Sequence, residues 1–278
     1  MRVHGREREG WLDEVEHRME AILCPDGDME HRKTADEVFD TRTLMILSKF
    51  ISGGHIDTVD FPIATGKEGN VFHATDPDGK SLALKIYRTS NANFKAITNY
   101  ILGDPRFSGI TKDRRQLLAT WCSKEYRNLL RMQKAGVRVP EPVKARENIL
   151  IMEYIGDENG PAPLLKQVNP RSIDNPQELY EDVLENLRLT YVKAGMVHAD
   201  ISEYNLLLHN GEIWIMDVAQ GVLIVHPMAE EWLRRDVTNV CNFFAKIGAE
   251  TDLNSALAFV RGKEGEGIKE DNAIGGGE

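Results

Sequence analysis

The chain has 278 residues, 41% of them hydrophobic, and a formal net charge of −10, which suits a globular protein large enough for two core-bearing lobes. No apolar run reaches the ~18 residues of a membrane span, and the opening MRVHGREREGWLDEVEHRME lacks the apolar centre of a secretory signal, so a cytoplasmic protein is expected. Cys24, Cys122 and Cys241 are odd in number, far apart and without metal-ligand spacing, which argues against a disulfide framework or a zinc site and predicts reduced thiols.

Residues 1 to about 60 read as helical. The run TADEVFDTRTLMILSKFISGG has Thr34 as N-cap, Glu37 three positions on, and Gly53-Gly54 as its stop. FPIATGKEGNVFHATDPDGKSLALKIYR then reads as strand, Gly-containing turn, strand, Asp78-Gly79 hairpin turn and strand. Alternation in the third strand puts Leu82, Leu84 and Ile86 on one face and Ala83, Lys85 and Tyr87 on the other. Lys85 is there either a solvated cation or a ligand-binding one.

Residues 80–146 hold 15 Lys and Arg against 4 Asp and Glu. Such a segment suits a polyanion-facing surface, or equally a solvated helical face that offsets acidic neighbours. Within it a long helix is expected from Asp113 to Lys134, stopped by Gly136. Its stripe Leu118, Cys122, Glu125, Leu129, Met132 places an acid among apolar residues. Glu125 is either an edge residue reaching solvent or a buried charge that needs a cation, for which a lysine on a neighbouring strand would serve.

NILIMEYIG suits a buried strand, and the following GDENGPAP is the best candidate for a boundary between lobes. Asn175-Pro176 opens a helix that closes near Gly195. EEWLRRDVTNVCNFFAKIG is read as the last helix, ahead of a Gly/Glu-rich tail from about 262.

Between those two helices lies MVHADISEYNLLLHNGEIWIMD. Asn210-Gly211 is a two-residue hairpin signal. Pairing His209 with Glu212 pairs Leu206 with Ile215, puts Asn205 opposite Met216, and leaves Asp217 one residue beyond. An amide oxygen and a carboxylate so placed can converge on a hard cation such as Mg²⁺. Asp200, outside the hairpin, is free to meet a nucleophile's proton, while His198 is expected to shape the loop. TGKEGNVF is not a nucleoside-triphosphate P-loop, because Glu68 follows Lys67 and Phe61 stands where the first glycine should be. As strand-turn-strand it suits a flap over phosphates, with Gly66 and Gly69 allowing close backbone approach. In chain order, the Gly-turn hairpin, Lys85, Glu125, the apolar strand, Asp200 with Asn205, and Asp217 follow the protein-kinase template.

TGKEGNVFHA, ALKIY, GDPRF, KEYRNL, IMEYIG, VHADISEYN and IMDVAQ together resemble the RIO family of atypical protein kinases, type one, over about residues 30 to 246. The resemblance implies an α+β, compact bilobal protein-kinase-like fold with a five-stranded antiparallel N-lobe sheet, a mainly helical C-lobe and extra N-terminal helices. Its boundaries would be a helical extension over 1–58, an N-lobe over 59–155, a C-lobe over 156–262 and a tail over 263–278. It implies an ATP-dependent serine/threonine kinase or ATPase acting in small ribosomal subunit maturation, with ATP and Mg²⁺, or Mn²⁺ in its place, as cofactors.

Carried onto this chain, the resemblance makes Asp200 the catalytic base and Asn205 and Asp217 the metal ligands. Lys85, paired with Glu125, would hold phosphates, and the backbone of Glu153 and Ile155 would meet adenine. Thr65, Gly66, Lys67, Glu68, Val71, Ala83 and Met152 complete the expected nucleotide contacts. Asp217 is also where the family can form an aspartyl phosphate, and Asp236 resembles the buried acid that braces the catalytic loop. The flap departs from the family at Ala64 and Gly69, where serine, and alanine or serine, are usual. Val218-Ala219 follow Asp217 in place of Phe-Gly, and no A-P-E follows. A large partner is therefore expected to position the substrate, with the basic segment 80–146 against ribosomal RNA of the pre-ribosomal small subunit. Two other readings stay open: a small-molecule phosphotransferase of the kinase-like superfamily, and a non-catalytic ATP-binding assembly scaffold.

Overall fold

The computed structural model describes residues 40–66, 69–88, 94–101, 104–107 and 113–263. Thr34, Glu37, Cys24, Lys67, Glu68 and Lys112 lie outside them, as does the expected tail beyond 263. Helix α1 (Thr41–Ser52) is capped by Asp40, whose side chain accepts the Thr43 N–H. The predicted stop is in place: Gly53 donates to Lys49 and Ile51 carbonyls, and Gly54 adopts φ +67.

Five strands follow in one antiparallel sheet of order β1-β2-β3-β5-β4: β1 (Thr58–Thr65), β2 (Gly69–Thr75), β3 (Ser81–Tyr87), β4 (Pro142–Arg146) and β5 (Ile149–Glu153). Pro62 sits in edge strand β1 between two register shifts, where a missing N–H does least harm. The β2–β3 turn is held by Asp76, whose carboxylate accepts the Asp78 and Lys80 N–H groups, with Gly79 at φ +81.

The alternation read in β3 places its two faces in different cores. Leu82, Leu84 and Ile86 pack with Leu44, Leu47 and Phe50 of α1, whereas Ala83 and Tyr87 join the core built on the other side of the sheet. At that second face lies α3 (Arg114–Lys134), capped by Asp113 through the Gln116 N–H and ended before Gly136 at φ +84. It follows the shorter α2 (Phe94–Ile101). Between them Asp104, 3% exposed, accepts three hydrogen bonds from the Arg106 guanidinium.

Against the upward push of burial, the Arg106 hydrogen bonds and charge hold the Asp104 carboxyl below its ordinary range. A carboxyl whose folded value lies below its unfolded ~3.9 contributes stability above that value and loses it as pH falls through the folded one. Asp104→Asn is thus expected to cost about 1–3 kcal/mol at neutral pH, with the gap closing on the acid side. Urea midpoints of the two proteins along a descending pH series check this.

Beyond β5, the Gly/Pro-rich stretch folds as a two-residue-strand hairpin, β6 (Gly156–Asp157) and β7 (Gly160–Pro161). Helix α4 (Pro176–Arg188) starts at the Asn175 cap as read, continues through a π turn (Leu189–Lys193), and closes at Gly195, φ +61. Strands β8 (Met196–Val197) and β11 (Val222–Leu223) pair around the hairpin of β9 (Leu206–His209) and β10 (Glu212–Ile215). Helix α5 (Ala229–Lys246) is not the last: α6 (Leu253–Val260), capped by Asp252, follows it. Eight residues are too few to show a helical period or to be stable alone. Burial of Ala256, Leu257 and Val260 beside α4 and α5 holds this two-turn helix. Among the described residues no helix is long and apolar enough to cross a membrane. Cys122 and Cys241 are both free and buried, and burial pushes the Cys122 thiol up to about 12, which keeps it inert.

Candidate active site

Lys85 is carried on β3 opposite Val71 of β2 and Leu150 of β5, on the sheet face that α3 covers. Its ammonium donates to Glu125 Oε1 at 2.9 Å and to Asp217 Oδ1 at 2.5 Å. Glu125 is 1% exposed, so of its two sequence readings the buried, paired one is realised. Burial pushes the Lys85 amine down, but Asp217 and Glu125 together outweigh it and raise it. Lys85 in turn lowers the Asp217 carboxyl, so the ammonium and this carboxylate hold each other in their charged forms.

The hairpin register is the one counted from Asn210-Gly211: Glu212 faces His209 and Ile215 faces Leu206. Both turn residues have positive φ, 53° and 79°, as a two-residue type I′ loop requires. The Met216 N–H donates to the Asn205 carbonyl at 2.9 Å, which brings Asp217 back beside Asn205. Asn205 Nδ2 donates to the Asp200 carbonyl (2.6 Å) and to Asp200 Oδ2 (3.3 Å). With its nitrogen engaged on the loop, the amide has its oxygen left to serve as acceptor or ligand.

The loop before Asp200 is held from below. Ala199 sits at φ +67, a conformation that costs a non-glycine residue of order 1–3 kcal/mol. Asp236 of α5, fully buried, accepts the N–H groups of Ala199 (2.7 Å) and Ile201 (3.0 Å). Arg235 donates to the Ala199 carbonyl and Asn239 to that of Ile201. Burial pushes the Asp236 carboxyl up to about 7, against the pull of those two donors. Asp236→Ala leaves two buried N–H groups unpaired, at about 1–3 kcal/mol each, and lets Ala199 relax. Lower stability together with slower turnover is expected, read by denaturant unfolding and initial rates. His198, 1% exposed, spans the loop and the hairpin through Nε2 to the Met216 carbonyl, and burial lowers its pKa. It shapes the site as a neutral imidazole, with that nitrogen the donor.

Two cavities meet at Lys85 and Asp217. One of about 370 Å³ is lined by the flap at Thr65, Gly66 and Gly69, by Tyr87 and Trp121, and by the polar groups Lys85, Asp200, Asn205 and Asp217. The other, about 400 Å³, is lined by Val71, Ala83, Met152, Glu153, Ile155 and the Met216–Asp217 end of the hairpin. The structure thus gathers the expected residues into one cleft with a polar and an apolar half. Glu125 lines neither half and reaches the cleft only through Lys85. Lys67 and Glu68 of the flap lie outside the described residues. At the flap's far side a Cβ on Gly69 would stand 2.6 Å from the Ile86 carbonyl, so this departure from the family's usual alanine or serine is matched by a close backbone approach.

Sequence reasoning passed over Leu207 and Met216, which line the apolar half, and Lys124 and Asn128, which hold the turn after Asp217. A signal for the last two existed. Leu117, Trp121, Lys124 and Asn128 form a second helical stripe, all buried, in which two polar groups interrupt apolar ones as Glu125 does in the first.

An antiparallel sheet presenting an ion-paired lysine to a loop-and-hairpin floor is the arrangement of kinase-like α+β folds. Two solved structures of the Rio2 kinase from Chaetomium thermophilum share the fold. One matches with a TM-score of 0.58 at 25% identity, over 79% of this chain and 67% of that one. The other, an ADP/Mg²⁺-phosphoaspartate complex, matches at 0.59 and 24% identity, over 78% and 66%.

The RIO domain matches residues 70–256, and the chain belongs to the RIO family, among the RIO1-type serine/threonine kinases. It is 45% identical to the RIO-type serine/threonine-protein kinase Rio1 of Haloferax volcanii, over 86% of this chain and 81% of that one. With the Methanocaldococcus jannaschii protein of the same name it shares 36%, over 95% and 89%. The human serine/threonine-protein kinase RIO1 is 43% identical over 84% of this chain, which spans 42% of the human protein's length.

Proposed function

We propose that this chain transfers the γ-phosphate of ATP with the help of Mg²⁺, as a serine/threonine protein kinase, an ATPase, or both, in maturation of the small ribosomal subunit. The observation that carries the proposal is the joined cleft, whose apolar half suits a purine and whose polar half collects Lys85, Asp200, Asn205 and Asp217. No group of three or more His, Cys, Asp or Glu among the described residues is placed to hold a metal alone. That fits Mg²⁺, which binds through one or two oxygen side chains and takes its remaining ligands from water and substrate phosphates. Asn205 and Asp217 would hold it, and it would offset the negative charge of the phosphates there.

In this reading Lys85 orients the phosphates with a charge fixed by Glu125. Asp200, half-buried at the polar end, accepts the proton of the attacking hydroxyl or water. Where Asp217 itself attacks, its low carboxyl pKa keeps it an anion. ATP labelled at the γ-phosphate separates these routes. A label released by hydroxylamine and lost in Asp217→Asn supports an aspartyl phosphate and ATP hydrolysis. An acid-stable ester on an added protein supports the kinase. Label passing instead to sugars, choline or aminoglycosides would overturn the reading in favour of a small-molecule phosphotransferase.

For the ribosomal RNA contact, the basic segment counts for less than its composition suggests. Lys85, Arg88 and Lys124 are buried, and Lys80, Arg106 and Arg138 face carboxylates. Exposed cations such as Lys134, Lys144 and Arg146 remain for it. Reversing the charge of Lys144 and Arg146 is expected to weaken pre-ribosome binding and flatten its salt dependence by about one unit of log–log slope per lost phosphate contact. An unchanged slope would remove this surface from the account.

A further inference from the structure

Helix α3 grips the Asp217 loop at a second place, away from the cleft. Lys124, adjacent to Glu125 and 0% exposed, donates to the carbonyls of Ala219 (2.7 Å) and Gly221, with its ammonium 5.4 Å from the centre of the Trp121 ring. Asn128, one turn on and equally buried, donates through Nδ2 to the carbonyls of Val218 (2.7 Å) and Gly221 (2.9 Å). Its Oδ1 accepts from Arg106 Nη1 at 2.8 Å, and Arg106 is itself forked onto buried Asp104.

The turn so held, Val218–Gln220, begins at Asp217, a non-glycine residue at φ 54°, ψ 52°. Left-handed backbone at such a residue persists only where its surroundings over-determine it. Four hydrogen bonds from two side chains onto three carbonyls of the next turn supply that constraint. Filling space would not require them: an ammonium sealed from water is costly, and an apolar side chain of similar volume would pack as well. Burial accordingly pushes the Lys124 amine down to about 7. The same helix thus fixes Asp217 twice, at its carboxylate through Glu125 and Lys85, and at its backbone through Lys124 and Asn128.

We infer that Asp104, Arg106, Asn128 and Lys124 form a positioning chain that sets the Asp217 carboxylate for the divalent cation, so that residues 104–107, outside the cleft, tune metal affinity. The inference rests on the proposed role of Asp217 as a metal ligand. Supporting partners of this kind typically change metal affinity 10- to 100-fold when removed.

The test is Mn²⁺ affinity, measured by electron paramagnetic resonance on the full chain saturated with a non-hydrolysable ATP analogue. Arg106→Gln and Asn128→Ser are expected to weaken Mn²⁺ binding about tenfold while analogue affinity in EDTA stays within about twofold, and Arg106→Lys is expected to recover part of the loss. A merely structural role would lower the melting temperature without separating the two affinities. Because Arg106 lies at the edge of the network, its variants decide the matter even if Asn128→Ser fails to fold. Wild-type Mn²⁺ affinity in Arg106→Gln, with Asp217→Asn impaired, would overturn the positioning chain alone. Unchanged affinity in Asp217→Asn as well would overturn the metal assignment and the chain with it.

Discussion

Lys85→Met is expected to lose about 3–5 kcal/mol of stability, the usual consequence of stripping a buried ion pair of one partner, and to lower turnover about 10²–10³-fold. The two losses have separate origins. Glu125, 1% exposed on α3, loses the cation paired with it 2.9 Å away, and the cleft loses its donor to the phosphates. Adding Glu125→Leu should therefore restore most of the stability, since a well-packed apolar pair often replaces a buried ion pair without loss, and none of the activity. Urea unfolding and ATP turnover on the two single variants and the double variant measure both. Wild-type stability in Lys85→Met alone would mean that Glu125 does not depend on Lys85.

Asp200→Ala is expected to reduce kcat about 10²–10⁴-fold, the range for loss of a general base, with ATP affinity little changed. The substitution is clean because the loop does not hang on this carboxylate. Asn205 keeps its 2.6 Å hydrogen bond to the main-chain carbonyl at 200 and forfeits only the 3.3 Å one to the side chain. Asp236 continues to hold residues 199 and 201. Initial rates against ATP concentration separate kcat from KM. Undiminished kcat would take the base role from Asp200 and favour the reading of a nucleotide-binding scaffold.

The parts of this site that could be read in the sequence are those set by local rules. Asn210-Gly211 dictates a two-residue turn, the turn dictates the register, and the register alone brings Asp217 to Asn205. Period-2 alternation separates Lys85 from the Leu82, Leu84 and Ile86 face of β3, and an acid in an apolar helical stripe marks Glu125 as either an edge residue or a buried charge in need of a cation. What stayed hidden depends on partners far away in the chain. Lys124 and Asn128 stand in a helical stripe, but the carbonyls that they hold, in the turn at 218–221, come 90 or more positions later. The apolar half of the cleft likewise needs Ala83 to face Met152, a pairing between strands separated by all of α3. Helix α6 is stabilised by packing rather than by its own eight residues. For α1, the cap that the structure describes is Asp40, whereas the expected Thr34 cap lies outside the described residues.

The central claim is that this cleft moves the γ-phosphate of ATP, and single-turnover quench with enzyme in excess over γ-labelled ATP tests it most directly. Wild-type protein with Mg²⁺ should transfer or release the label, EDTA should stop it, and Asp217→Asn should retain bound ATP with its label in place. Label that stays on ATP in the wild-type protein with Mg²⁺, or that leaves equally fast in Asp217→Asn, would contradict the account.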